Sequence, residues 1–180
     1  MFRVKEVQSN DDDPLFNKSN MYKHEFPSDY CRIRYFTLFI MESAPPEIRQ
    51  TNLLEQQINE IIKNAVKHGN HCDPNKIITV WYSFTPDQAH IIVQDEGHGF
   101  TELERWNSFN RKRQECIKAR KFCELSDYVS FRTAESDETD GGNALFAALE
   151  FWNGGLVFNS KRNAIAVLKK YPKNRTLFFT

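Results

Sequence analysis

Three short stretches carry side chains whose types and spacing suit chemistry. In "NEIIKNAVKHGN", Glu60 and Asn64 are four residues apart, so on a helix they share one face. A side-chain amide oxygen is a suitable hard ligand for Mg²⁺, which takes few protein groups and completes its shell with phosphate and water. A carboxylate one turn away can orient or deprotonate an attacking hydroxyl or water. Lys67, on the same flank, can meet phosphate as a point charge. In "DEGHGF", Asp95 ends an apolar run, and Gly97 and Gly99 follow at alternating positions. Glycines there permit positive φ and let another group approach the backbone closely. A carboxylate beside so open a backbone can accept from a donor such as the exocyclic amine of adenine. In "DGGNALFAAL", glycines open a helix and expose N–H groups at its positive end, which suits a phosphate. Taken singly, each stretch also reads as a solvated helix face, a turn or a loop. Three in this order point to a nucleotide.

The elements that position these residues follow from periodicity. Residues 52–69 show the clearest helical pattern: Leu54, Ile58, Ile61, Ile62, Ala65 and Val66 form one apolar stripe. Asn52 and Glu55 resemble a capping box, and Gly69 is placed to end the helix in a left-handed conformation. An earlier helix is expected in "SDYCRIRYFTLFIMESAPP", capped by Ser28 and ending before Pro45. "KIITVWYSF" and "AHIIVQD" read as an antiparallel hairpin, and "LVFNS" and "AIAVLKKY" as a second, with "TLFFT" as a short final strand. Between the hairpins lies a charged insert, about residues 101–141, whose "RKRQECIKARK" suggests a helix with a solvated basic face. Residues 8–20 are polar and acidic and read as a mobile connection. The resulting organisation is an N-terminal segment, 1–24, partly flexible, and a single domain, 25–180. Its class is α+β: a two-layer sandwich with helices on one face of a mostly antiparallel mixed sheet.

Composition narrows the partners. The chain has 180 residues, 24 Lys plus Arg against 24 Asp plus Glu, and 40% hydrophobic residues. A neutral chain of ordinary composition has no global field to gather nucleic acid or anionic lipid. No apolar run has membrane-spanning length, and the N-terminus lacks a signal-peptide core, so a cytoplasmic location is expected. His68, His71 and Cys72 supply only half of a metal ligand set and read as a helix end followed by a loop.

These motifs together resemble the GHKL ATP-binding domain shared by DNA gyrase, heat-shock chaperones, histidine kinases and MutL. The likeness is closest to bacterial serine-protein kinases that act as anti-sigma factors. The family's E-x-x-x-N, followed by Ala and often His, matches Glu60, Asn64, Ala65 and His68. Its D-x-G-x-G matches Asp95, Gly97 and Gly99, and its G-x-G-L corresponds to Gly142, Asn143, Ala144 and Leu145. The resemblance implies a Bergerat-type fold and a Mg-ATP-dependent serine/threonine-protein kinase. Asp95 would accept from adenine, Glu60 would be the general base, and Asn64 would hold Mg²⁺. Gly141 and Gly142 with the following backbone would cradle phosphate, and the insert would be the lid, with Arg132 a candidate phosphate contact. A protein partner is implied, either an anti-anti-sigma-like phosphoacceptor or a sigma factor, and a homodimer. Two departures stand out: Ala144 replaces the second glycine of the third motif, and Asn163–Ala164 replaces a glycine-threonine pair whose hydroxyl lies near adenine. Two other readings stay open. One is a nucleotide-binding interaction module without kinase activity. The other is the catalytic domain of a split histidine kinase, against which no phosphoacceptor helix pair is found upstream.

Overall fold

The computed structural model describes residues 5–50, 52–133, 136 and 142–172. Among the described residues, six strands form one sheet: β1 (Gln8–Ser9), β2 (Tyr22–Pro27), β3 (Ile77–Thr85), β4 (Gln88–Gln94), β5 (Gly155–Phe158) and β6 (Ala164–Lys170). Their order is β1-β5-β6-β4-β3-β2. The β1–β5 pair is parallel and all others are antiparallel, so the sheet is mixed but mostly antiparallel. Both expected hairpins are present, β3–β4 and β5–β6.

The helices cover one face. They are α1 (Ile33–Met41), α2 (Pro46–Arg49), α3 (Asn52–Asn64), α4 (Leu103–Lys118), α5 (Phe122–Leu125) and α6 (Ala144–Phe151). Strand alternation explains the layering. Ile78, Val80 and Tyr82 of β3, with Ala89, Ile91 and Val93 of β4, point into a core shared with Phe36, Ile40 and the whole α3 stripe. All six predicted stripe residues are buried.

Several local expectations are corrected. Ser28 does not cap α1. The neighbouring Asp29 does the capping, accepting from the Cys31 amide at a short 3₁₀ turn, Tyr30–Arg32, that leads into the helix. Ser28 is buried instead and donates to the Val66 carbonyl (3.4 Å). Gly69 is not left-handed; the positive φ values fall on His71 and Cys72 (55° and 57°). The insert's helix α4 begins well before the basic run and has an apolar side. Leu103 and Trp106 are buried with Val7, Phe131 and Phe146. The basic face is solvated as expected, with Arg111 paired to Glu6 and Lys112 to Glu115.

Residues 5–21 are more than a connection. Val7 joins the α4 cluster, while Leu15, Phe16 and Met21 cover Ile92, Val157 and Ala166 on the sheet face opposite the helices. The sheet therefore reaches back past residue 24, since β2 begins at Tyr22. The expected "TLFFT" strand lies outside the described residues.

Candidate functional site

The first and second motifs meet at the end of α3. After Asn64 the helix widens into one π-helical turn, Ala65–Gly69, in which the Asn70 amide donates to the Ala65 carbonyl (2.9 Å). Such turns are rare inside helices and cluster at functional sites. The turn delivers Gly69 directly against Asp95: a Cβ at position 69 would overlap the Asp95 carboxylate. Glycine is required here by close approach rather than by φ. At about 1.5 Å per residue, Asn64 lies about 7 Å and Glu60 about 13 Å back along the axis from this contact. Glu60 and Asn64 are half-buried, as are Lys67 and His68 within the π turn. Glu60 is 3.7 Å from Lys63.

Asp95 follows β4 and is held on both sides. The Asp95 amide donates to the Asn163 carbonyl (2.9 Å), and Asn163 Nδ2 donates back to the Asp95 carbonyl (2.7 Å). The next amide, Glu96, donates to Asn70 Oδ1 (2.8 Å). Gly97 donates to Asp95 Oδ1 (2.8 Å) and is packed so tightly that a Cβ would overlap the Gly69 carbonyl. Gly99 takes φ +88° against the Lys161 carbonyl, so the alternating glycines serve close packing and, at 99, positive φ. Burial pushes the Asp95 carboxyl up to about 6. The Gly97 amide and the charges of Lys161, Lys76 and His71 pull the other way but are outweighed. Among the described residues, the Gly97 amide is the one hydrogen-bond donor to this carboxylate, which leaves acceptor capacity on a partly buried acid. That is the acceptor an incoming exocyclic amine requires.

Gly69→Ala is expected to push the carboxylate out of place and weaken nucleotide binding by about tenfold or more. Calorimetric titration of wild type and variant checks this.

The third motif sits where the insert rejoins the helical layer. Gly142 takes φ +66°, and its carbonyl accepts from the Phe131 amide (3.0 Å), which sets Arg132 beside the glycine motif with its side chain exposed. Asn143 precedes α6 without a side-chain capping bond, so it does not occupy the helix's first amides. Ala144 is the first residue of α6, so the missing second glycine costs no left-handed conformation; Gly142 supplies it. Helix α6 packs against α3, bringing the third motif's helix onto the one that bears Glu60 and Asn64. Helix α4 of the insert packs on α6, with the Trp106 and Phe146 ring centroids 5.0 Å apart. Gly141 lies outside the described residues. His68, His71 and Cys72 do not assemble a metal site; among the described residues no three His, Cys, Asp or Glu groups do.

The sequence pattern of the histidine kinase-like ATPase domain matches residues 30–145, well over half of the chain. The chain belongs to that family. The matched span contains the first two motifs, the charged insert and the third motif through Leu145. ATP is the ligand that membership implies, and the partly buried Asp95 acceptor fits a purine's exocyclic amine. The chain is also similar to curated relatives. These include the anti-sigma F factor of Clostridium perfringens, 32% identical over 59 residues, which is 33% of this chain and 42% of that protein. The anti-sigma F factors of Geobacillus kaustophilus and Geobacillus stearothermophilus are each 29% identical over 59 residues, 33% of this chain and 40% of theirs. The aligned part thus spans well under half the length of these relatives. No described helix is long and apolar enough to cross a membrane.

Two residues of this ATPase domain escaped the motif reading. Asn70 and Asn163, fully and almost fully buried, grip the backbone of Glu96 and Asp95. Asn163 was visible only as a departure from the family's glycine; Asn70 carried no signal beyond its place after Gly69.

Proposed function

We propose that this domain binds Mg-ATP and acts as a serine/threonine-protein kinase that regulates a partner protein, in the manner of an anti-sigma factor. The observation that carries the reading is the contact between Gly69 and the Asp95 carboxylate. It joins a proposed base-reading acid to the end of the helix that bears Asn64 and Glu60. In this reading Asp95 accepts from the adenine amine, and Gly97 and Gly99 let the backbone pack closely around it. Asn64 holds Mg²⁺ through its amide oxygen. When bound, the metal would neutralise phosphate charge during transfer. Lys67 and His68 face the phosphates, and the amides from Gly141, Gly142, Asn143 and Ala144 cradle them, with Arg132 adding charge. Glu60 takes the proton of the acceptor hydroxyl as its oxygen attacks the γ-phosphorus and the bond to the β-phosphate oxygen breaks, releasing ADP. Partners of this chemistry are an anti-anti-sigma-like phosphoacceptor and a sigma factor, with the chain acting as a homodimer in the cytoplasm.

A second reading, a nucleotide-binding module without kinase activity, is favoured by one observation. Ala164, which stands where the family's threonine would, is buried and carries no hydroxyl. One paired experiment separates the two: calorimetric titration with Mg-ATP, and transfer from γ-labelled ATP to a cognate anti-anti-sigma protein. Binding with transfer supports the kinase, and binding without transfer selects the module. No saturable binding at millimolar Mg-ATP overturns both.

A further inference from the structure

We propose that Asn163 is a positioning residue for base recognition, fixing the carboxylate of Asp95 where it can discriminate the purine's 6-substituent. The inference rests on the proposed base-reading role of Asp95. Asn163 is almost fully buried in the turn between β5 and β6, and its hydrogen-bonding groups are committed. Its Nδ2 donates to the Asp95 carbonyl (2.7 Å), and its own carbonyl accepts from the Asp95 amide (2.9 Å). Its Oδ1 accepts from Asn159 Nδ2 (3.0 Å), and Asn159 Oδ1 in turn accepts from the Ala164 amide (3.0 Å). The Asp95 peptide is therefore tied on both sides to a braced turn and cannot rotate without breaking a buried bond. The side-chain bond has no counterpart if glycine stands at 163. The same turn carries Lys161, whose charge acts on the Asp95 carboxylate, and whose carbonyl packs against Gly99. A carboxylate discriminates an amine from a carbonyl only when its oxygens are held in place, because a free one turns away to water at little cost. Asn163 thus replaces a missing hydroxyl contact to the base by rigid placement of the acid that reads it.

The test compares ATP with inosine triphosphate, which carries a carbonyl where adenine carries the amine. Calorimetric Kd values are measured at pH 8, where Asp95 is ionised. Wild type is expected to prefer ATP by about 10²-fold or more, since a site built around a ligand N–H rejects the analogue lacking it. Asn163→Ala is expected to reduce that ratio about tenfold, chiefly by weakening ATP, with inosine triphosphate affinity little changed. A purely structural role predicts instead that both nucleotides weaken equally. That result, or an unchanged ratio, overturns the inference while leaving the role of Asp95 intact. If Asn163→Ala fails to fold, Asn163→Asp keeps the shape and the Asn159 bond but replaces the donor with an acceptor, and the same fall in ratio is required of it. If wild type binds both nucleotides equally and Asp95→Asn binds ATP like wild type, the base-reading role itself fails and the inference goes with it.

Discussion

Replacing Glu60 with Gln is expected to lower phosphotransfer by about 10²- to 10⁴-fold. The amide keeps the shape of the side chain but cannot accept the proton of an attacking hydroxyl. ATP affinity should stay within about threefold of wild type, because the proposed base touches the acceptor rather than the nucleotide. Stability should barely move. Glu60 and Lys63 are 3.7 Å apart and partly solvated, and exposed pairs of this kind contribute only about 0–1 kcal/mol. Initial rates with γ-labelled ATP, beside calorimetric Kd values, separate these effects. Equal transfer by wild type and variant would remove Glu60 from the chemistry. An equal fall in affinity and rate would mean that it binds nucleotide instead.

Asp95→Asn is expected to stabilise the unliganded protein at pH 8 and abolish its response to ATP. The sign follows from the raised carboxyl. With a folded value of about 6 against an ordinary 3.8, protonation is favoured by folding. The associated stability is fully present below pH 4 and is lost as pH rises through 6. At pH 8 the native state holds a buried charge that asparagine does not have, a difference of up to about 3 kcal/mol. The gap in melting midpoint between variant and wild type should therefore open between pH 4 and pH 6 and stay level above. Ligand acts oppositely. Mg-ATP at a hundred times its Kd should stabilise wild type by about 2.7 kcal/mol and the variant not at all. Below pH 6 the wild-type affinity should fall about tenfold per pH unit, as the acceptor is protonated. Thermal melts with and without Mg-ATP at pH 5 and pH 8 check both halves. A variant less stable than wild type at pH 8 would show that the Gly97 amide and the nearby cations more than offset burial of the charge.

Strong local periodicity made part of this legible. The α3 stripe and the two hairpins could be read because a single face of each element is buried, which imposes the 3.6- and 2-residue patterns on the chain. Motif spacing marked Glu60, Asn64, Asp95 and the glycines as candidates. What escaped depends on tertiary contact. Gly69 looked like a left-handed helix stop, yet it is glycine because the Asp95 carboxylate occupies the space a Cβ would fill. Ser28 and Asp29 both offer capping oxygens, and only packing decided that Ser28 turns inward. The apolar side of α4 was hidden because Leu103 and Trp106 lie among charged residues that satisfy solvent on the other side. Residues 5–21 are polar on average. Their anchors, Val7, Leu15, Phe16 and Met21, are too sparse for a periodic signal, although they cover the α4 cluster and the outer sheet face. The Asn163 grip on Asp95 joins residues 68 positions apart, beyond the reach of any local pattern.

The claim on which everything else rests is that three distant segments form one nucleotide pocket. Amide chemical-shift mapping by NMR during a Mg-ATP titration tests it most directly. Residues 64–69, 95–99 and 142–145 should shift together along one saturating curve with a single Kd, and the Asp95→Asn protein should show none of these changes. Shifts confined to one segment, or gathered instead around the outer faces of α4 and α6, would contradict it.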